Sequence, residues 1–316
     1  MLLGGKMDVK AFINEQVEMI RRTVGEKGAL SALSGGVDSS TCTVLAWKAI
    51  GPQLKVIFID DGLMREGEPE QVKATFAEIG IPVQIVSAQE DFFTALKGQL
   101  DPEDKRRAFR QAFYTTLGKI IKTSGVRFLI QGTIAADIIE TQGGVKTQHN
   151  ILEQIGIDPE TSFGFKVVEP LKTLFKPEVR EVARSLGLPE AIFRRMPFPG
   201  PGLAARVLGE VTPERVAVVR RATRIVEEEL GPLGPFQAFA VLMADKGTGI
   251  EAGQRKFGDI IIIRSVESQD AMTAQPSLPP WEVLQRITEK IIKEIPSVTR
   301  VAYELTPKPP ATIEFI

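Results

Sequence analysis

The chain has 316 residues, enough for one large domain or two ordinary ones with a sizeable core. Hydrophobic residues make up 43% and charged residues 25%, and 39 basic against 40 acidic side chains leave no bulk field to attract nucleic acid or a membrane surface. One cysteine, Cys42, and one histidine, His149, exclude an internal disulfide framework and a cysteine-rich metal site. No apolar run approaches the roughly 20 residues of a membrane span. The N-terminal residues lack the apolar stretch of a signal peptide, so a cytoplasmic place is expected.

In chain order, Ala29 to Leu33 is a short apolar run that predicts a strand, and Thr41 to Ile50 predicts a helix. Between them lies Ser-Gly-Gly-Val-Asp-Ser-Ser, residues 34–40. A strand feeding a helix through two glycines lets backbone N–H groups converge on an anion at the helix N-terminus. Gly35, Gly36 and Val37 supply that backbone, and Ser34, Ser39 and Ser40 add hydroxyl donors. Asp38 adds a carboxylate at which Mg²⁺ can bridge to phosphate. The pattern GxxxxGK[ST] is absent, and the loop holds no lysine. Cys42, on the following helix, reads as buried packing.

Lys55 to Ile59 and Val83 to Val86 predict two more strands, with a helix over Glu68 to Ile79 between them. A long helix over Pro102 to Thr123 precedes a strand over Arg127 to Gln131. Short apolar strands alternating with helices predict a parallel sheet covered on both faces. Ligands of such sheets sit outside the carboxyl ends of the strands, near the switch in strand order. Ser34 to Ser40, Asp60-Asp61-Gly62 and Gln131-Gly132-Thr133 all fall at those ends and predict one nucleotide site.

From about Thr141 to Phe165 periodicity fails, and a loop this long, here carrying Lys146 and His149, reads either as a functional lid or as a disordered segment. Lys166-Val-Val-Glu-Pro resumes the chain, followed by a helix over Pro177 to Leu186. Met196 to Gly202 is too rich in proline and glycine for a regular element. It reads either as a linker or as a rigid segment that presents backbone groups to a ligand. A helix over Pro213 to Leu230, strands over Gln237 to Met243 and Asp259 to Val266, a helix over Pro280 to Ile295 and a strand over Ser297 to Leu305 predict a small α+β domain. Ala311 to Phe315 alternates apolar and polar residues, which suits an ordered strand.

The loop is similar to the SGGxDS signature of the ATP pyrophosphatases, which split ATP between its α- and β-phosphates. The dispersed strings LSGGVDSS, DDGLMREGE, DPEDKRR, IQGTIAADIIE, VVEPL, MPFPGPGLAARVLGEVTPE, QAFAVLM, AMTA and TPKPPATIEF, in that order, resemble the ATP-pyrophosphatase part of GMP synthetase. The resemblance implies a parallel-sheet α/β domain of the adenine-nucleotide-hydrolase type over residues 1–195. It implies a small α+β domain for dimerisation and XMP binding over residues 196–316. It further implies ATP and Mg²⁺, adenylation of XMP at its 2-oxygen with release of pyrophosphate, and displacement of AMP by ammonia to give GMP. Many members carry a glutamine amidotransferase domain in front of this one. Here the resemblance begins at the phosphate loop, which implies that ammonia comes from a separate amidotransferase subunit, and it implies a homodimer. Cys42 and His149 show no nucleophile turn, so glutamine hydrolysis is not expected here.

By the same resemblance, Asp38 contacts metal, with Asp61 and Asp137 as further carboxylates, and Gln131, Gly132 and Thr133 lie beside the nucleotide. Lys166 either offsets charge on the α-phosphate or is a plain surface lysine. XMP binding falls to Arg106, Arg206, Lys308, Thr312 and Glu314, with Lys308 as a point charge for the 5′-phosphate and Glu314 accepting from the purine edge. The chain departs from the family pattern at Thr147-Gln148-His149-Asn150, at Glu251-Ala-Gly-Gln-Arg255 and at its Ile-Glu-Phe-Ile end. A related ATP pyrophosphatase adenylating a different purine or carbonyl acceptor, and a catalytically silent nucleotide-binding regulator, remain as alternatives.

Overall fold

The computed structural model describes residues 7–142, 164–193, 195–269 and 271–316; Lys146 and His149 of the expected lid lie outside the described residues. The chain divides into two compact units. The first comprises Met1–Asp60, Glu68–Ser87 and Tyr114–Arg195, and the second Asp61–Gly67, Ala88–Phe113 and Met196–Ile316. The division therefore differs from a single cut after residue 195, because two pieces of the preceding chain pack with the second unit.

The first unit is built on a five-stranded, all-parallel sheet of β1 (Ala29–Leu33), β2 (Leu54–Asp60), β3 (Gln84–Ser87), β4 (Phe128–Ile130) and β5 (Lys166–Val168), in the order β3-β2-β1-β4-β5. Leu30, Phe58 and Leu129 are buried, as strands covered on both faces require. The order reverses between β1 and β4, and that switch fixes where a ligand crevice can open. Helix α1 (Val9–Val24) is an addition to the expected elements: Asp8 caps its N-terminus at 3.0 Å from two backbone N–H groups, and Ile13, Val17, Ile20 and Val24 form its buried stripe.

Helix α2 spans Val37–Ile50 and so starts four residues earlier than expected from the apolar pattern. Gly36 takes the extended N-cap conformation (φ −80°, ψ 159°), and the Asp38 carboxylate in the first turn suits the positive end of the helix. Val37, Asp38, Ser39 and Ser40 are thus helical residues. Helices α3 (Glu68–Glu78), α6 (Ala135–Gln142), α7 (Lys176–Ser185) and α8 (Glu190–Phe193) belong to the same unit. Between α3 and α6 in chain order come α4 (Gln89–Leu96), which packs with the second unit, and α5 (Pro102–Ser124).

The second unit carries a mixed sheet of β6 (Gln237–Glu251), β7 (Gln254–Glu267), β8 (Gln275–Pro276) and β9 (Val298–Tyr303). β7 is antiparallel to β6 and β8 and parallel to β9. Helix α9 (Pro213–Leu230) buries Val216, Val219, Ala222, Ile225 and Val226, and α10 (Trp281–Glu294) buries Val283, Ile287 and Ile291. β6 and β7 run well past their expected ends to a two-residue turn at Ala252 (φ 49°) and Gly253 (φ 80°). The added length is possible because Gly247, Gly249 and Gly258 leave room for β9: a Cβ on Gly258 would lie 2.4 Å from Ser297 O and from Thr299 Cγ2.

Two expectations for this unit resolve differently. Met196 to Gly202 is fixed in place: Phe198 lies under the guanidinium of Arg65 at 4.2 Å and that of Arg206 at 4.8 Å, and Leu203 N donates to Leu63 O at 2.7 Å. Ala311 to Phe315 is not a strand. Instead of a ladder, the buried Arg264 guanidinium donates to the carbonyls of Thr306 (2.6 Å) and Thr312 (3.2 Å), while Ile313 inserts among Phe239, Val241, Val266 and Ala274. Among the described residues no helix is long and apolar enough to cross a membrane.

Candidate active site

In the first unit the SGGVDSS segment follows the carboxyl end of β1, and Gln131-Gly132-Thr133 follows that of β4. The two meet. A Cβ on Gly132 would stand 2.9 Å from Ser39 N and 3.0 Å from the Asp38 carbonyl carbon, so only glycine allows this approach. Ser34 and Ser39 tie the mouth of the loop through their hydroxyls at 2.9 Å, and Ser39 Oγ also accepts from Ser34 N at 3.2 Å. Gly35, Val37 and Ser40 are buried, while Ser34 and Gly36 face solvent. Gln131 Nε2 donates to Thr133 Oγ1 at 3.3 Å, and Thr133 Oγ1 donates to Glu169 Oε1 at 2.6 Å, so a carboxylate from the VVEPL string sets the orientation of both.

Asp38 directs Oδ2 to the ammonium of Lys176, the first residue of α7. Its Oδ1 is buried with no protein partner. That lone oxygen fits a Mg²⁺ held mainly by phosphate oxygens and water. Among the described residues no cluster of three or more acidic, histidine or cysteine side chains offers a cage for a metal. Asp137 Oδ2 accepts from Ile134 N at 3.0 Å, so this carboxylate caps the start of α6. Lys166 pairs in register with Phe128, level with Ala29 at the amino end of the strands. The loop begins beyond Leu33, about 13 Å further along at about 3.3 Å per residue, so the cation at the loop is Lys176 rather than Lys166. Cys42 is buried and donates to Gln131 O at 3.3 Å; burial, then Asp38 and Glu169, push its thiol well above the ordinary range and hold it protonated.

The second unit holds Asp61 and the residues expected at XMP. Asp61 is buried and accepts from Leu63 N at 2.8 Å, shaping the turn after β2. Arg206 has no exposed surface: it lies 4.1 Å from the Phe239 ring centroid and forks onto Glu314 at 2.9 and 3.1 Å. Gln237 Nε2 donates to Glu314 Oε1 at 2.6 Å, and Thr312 Oγ1 bonds the Glu314 carbonyl. Arg206, Thr312 and Glu314 are therefore one cluster, with Arg206 Nη1 buried and unpartnered in the protein. Lys308 Nζ reaches Ala271 O at 2.8 Å, and Arg106 pairs with Glu103 one turn earlier on its helix.

Lys176 and Arg264 are absent from the sequence-based site. Lys176 lies 138 residues beyond Asp38, and a lysine opening an amphipathic helix carries no signal of that contact. Arg264 sits in an apolar strand, where a lone arginine is itself a signal, since a buried guanidinium must find acceptors.

The family model described as NAD synthase matches residues 7–200, and that described as GMP synthase C terminal domain matches residues 234–315. The chain is 53% identical over 312 residues to the B-type subunit of glutamine-hydrolyzing GMP synthase from Pyrococcus horikoshii, covering 98% of this chain and 100% of that protein. It is 52% identical to the protein of the same name from Archaeoglobus fulgidus, over 98% and 100% of the two chains. The one from Methanopyrus kandleri is 49% identical, over 98% and 99%.

Proposed function

This chain belongs to the family of B-type GMP synthase subunits, and from that premise we propose that it aminates XMP to GMP through an adenyl-XMP intermediate, with ammonia from a separate glutamine amidotransferase subunit. One observation carries the nucleotide half of the reading. The SGGVDSS loop stands where the strand order reverses, and it presents a carboxylate with one buried, unpartnered oxygen.

The chemistry asks for charge stabilisation rather than a protein nucleophile. The XMP 2-oxygen attacks the α-phosphorus of ATP, the bond to the β,γ-phosphates breaks, and pyrophosphate leaves with the electron pair. Ammonia then attacks C2, the C–O bond breaks, AMP departs carrying that oxygen, and a proton is lost from nitrogen. Loop N–H groups, the serine hydroxyls and the Lys176 ammonium stabilise the leaving pyrophosphate. Asp38 would hold a Mg²⁺ that supplies further positive charge there when bound. Gln131 and Thr133, fixed by Glu169, line the nucleotide side. Asp137 shapes the start of α6, and Asp61 the turn after β2.

On the acceptor side, Lys308 is assigned to the XMP phosphate, and Arg106, Arg206, Thr312 and Glu314 to the rest of the nucleotide. The fork between Arg206 and Glu314 supports this by fixing the carboxylate, which with Gln237 also bonded keeps one lone pair, on Oε2, for the purine edge. The family resemblance supports a homodimer.

The test is pyrophosphate release by the purified chain with ATP and Mg²⁺, with and without XMP. Release should require XMP, and GMP should form with ammonium salts but not with glutamine. Equal release without XMP would assign the acceptor to another compound, and glutamine-dependent GMP formation by the chain alone would remove the separate amidotransferase from the account.

A further inference from the structure

A side chain outside the site described above, Arg195, contacts the phosphate loop at Gly35. Gly35 turns with φ +75° and is buried against an ion pair, Arg195 Nη1 to Glu68 Oε1 at 2.7 Å, in which Glu68 is 2% exposed. A Cβ on Gly35 would stand 2.8 Å from that guanidinium nitrogen and 2.9 Å from that carboxylate oxygen. The same Nη1 donates to the Gly35 carbonyl at 3.5 Å. Across the peptide, the Gly36 N–H points the other way, to Ser34 Oγ at 3.5 Å on the exposed mouth of the loop.

A trans peptide carries its C=O and N–H in opposite directions. Drawing the Gly35 carbonyl inward to Arg195 therefore turns the Gly36 N–H outward, onto the face that would cradle phosphate. With glycine on both sides, this peptide has little intrinsic preference between the two orientations. Glu68, the first residue of α3, is favourably placed at a helix N-terminus and holds the guanidinium in position.

We propose that Arg195 is a positioning residue of the phosphate site: acting through the Gly35 carbonyl, it sets the Gly35–Gly36 peptide with its N–H toward the polyphosphate of ATP. The inference rests on the nucleotide-binding reading and extends it to a residue outside the loop.

Binding of ATP with Mg²⁺ and of XMP, each measured calorimetrically on the full chain and set beside thermal melting, tests it. Arg195→Gln alone would take the guanidinium away from a buried carboxylate, so it is combined with Glu68→Gln, which removes both charges and keeps hydrogen-bonding groups of similar size. Arg195→Lys is the second variant; it leaves a cation beside Glu68, but its shorter side chain withdraws the nitrogen that in arginine also reaches the Gly35 carbonyl. Both should lose about 10-fold or more in ATP affinity, the scale of one hydrogen bond to a charged group, with XMP affinity unchanged. If the double variant does not fold, Arg195→Lys decides. A folded variant that binds ATP like the unaltered chain overturns the inference, and so does a parallel loss of ATP and XMP affinity with a lowered melting point. Failure of the unaltered chain to bind ATP would instead overturn the nucleotide reading, and the inference with it.

Discussion

Gly132→Ala probes the contact on which the nucleotide site is built. The added Cβ would meet Ser39 N at 2.9 Å, the Asp38 carbonyl carbon at 3.0 Å and Ser39 Cα at 3.2 Å. All three are backbone atoms of the first turn of α2, so no side chain can rotate away. Ordinary contact needs about 3.4 Å, so the turn and the β4 loop must part by roughly 0.5 Å, at an overpacking cost of about 1–3 kcal/mol. The shift falls on Asp38 and Ser39 themselves. Where a misplacement of about 1 Å costs about 10²-fold in rate, half of that predicts roughly 10-fold. Denaturant titration should register the stability loss, and steady-state kinetics a lower kcat/KM for ATP. Gly36→Ala is the contrasting variant, because its nearest neighbour would be Ser34 Oγ at an ordinary 3.5 Å and its φ is negative. It should leave stability nearly unchanged. Equal stability and equal ATP kinetics for Gly132→Ala would refute the proposed apposition of the two loops.

Asp38→Asn should fold normally yet lower XMP-dependent pyrophosphate release by about 10²-fold or more, as loss of one electrostatic stabiliser does; turnover within a few-fold of normal in the folded variant would take Asp38 out of the mechanism. Lys105 is buried with its ammonium on Val207 O at 2.7 Å, and burial, then Arg215, lowers its pKa from 10.5 to about 8. Between those values the unfolded chain binds more protons than the folded one. Stability should therefore rise with pH through that window, by at most about 3.4 kcal/mol at about 1.36 kcal/mol per unit, and Lys105→Met should flatten the rise in urea titrations. An unchanged slope would show that Lys105 does not titrate there. Ala252 occupies the left-handed region in a two-residue turn that favours Asn-Gly, so Ala252→Asn should stabilise by about 1 kcal/mol with activity unchanged, as read by chemical denaturation. A lowered stability would contradict the turn geometry.

What the sequence disclosed follows the range of the interactions involved. β1 and β2 were legible because a strand covered on both faces is apolar throughout, and the loop after β1 because its glycines, serines and aspartate act over seven neighbouring residues. The outer half of the β6–β7 hairpin was hidden, since its glycines serve a contact with Thr299 and Arg300 that only the fold brings about. Ala311 to Phe315 misled for the complementary reason: its alternation reflects the burial of Ile313, while the Thr312 carbonyl accepts from Arg264 of β7 rather than from a neighbouring strand. Lys166 drew notice as a lone lysine after the expected lid, with a surface role as its alternative, and Lys176 carried no signal. The parallel register places it at the wrong end of the sheet, and Lys176 reaches Asp38 from the start of α7. Helix α1 was legible in principle from its buried spacing at residues 13, 17, 20 and 24.

Adenylation of the acceptor oxygen is the central claim, and the fate of that oxygen tests it most directly. XMP bearing heavy oxygen at C2 is turned over by the purified chain with ATP, Mg²⁺ and ammonium, and the products are examined by mass spectrometry. The account predicts that the label appears in AMP, one atom per GMP formed, with pyrophosphate unlabelled. Label released as water or inorganic phosphate, or formation of ADP in place of AMP, would contradict it.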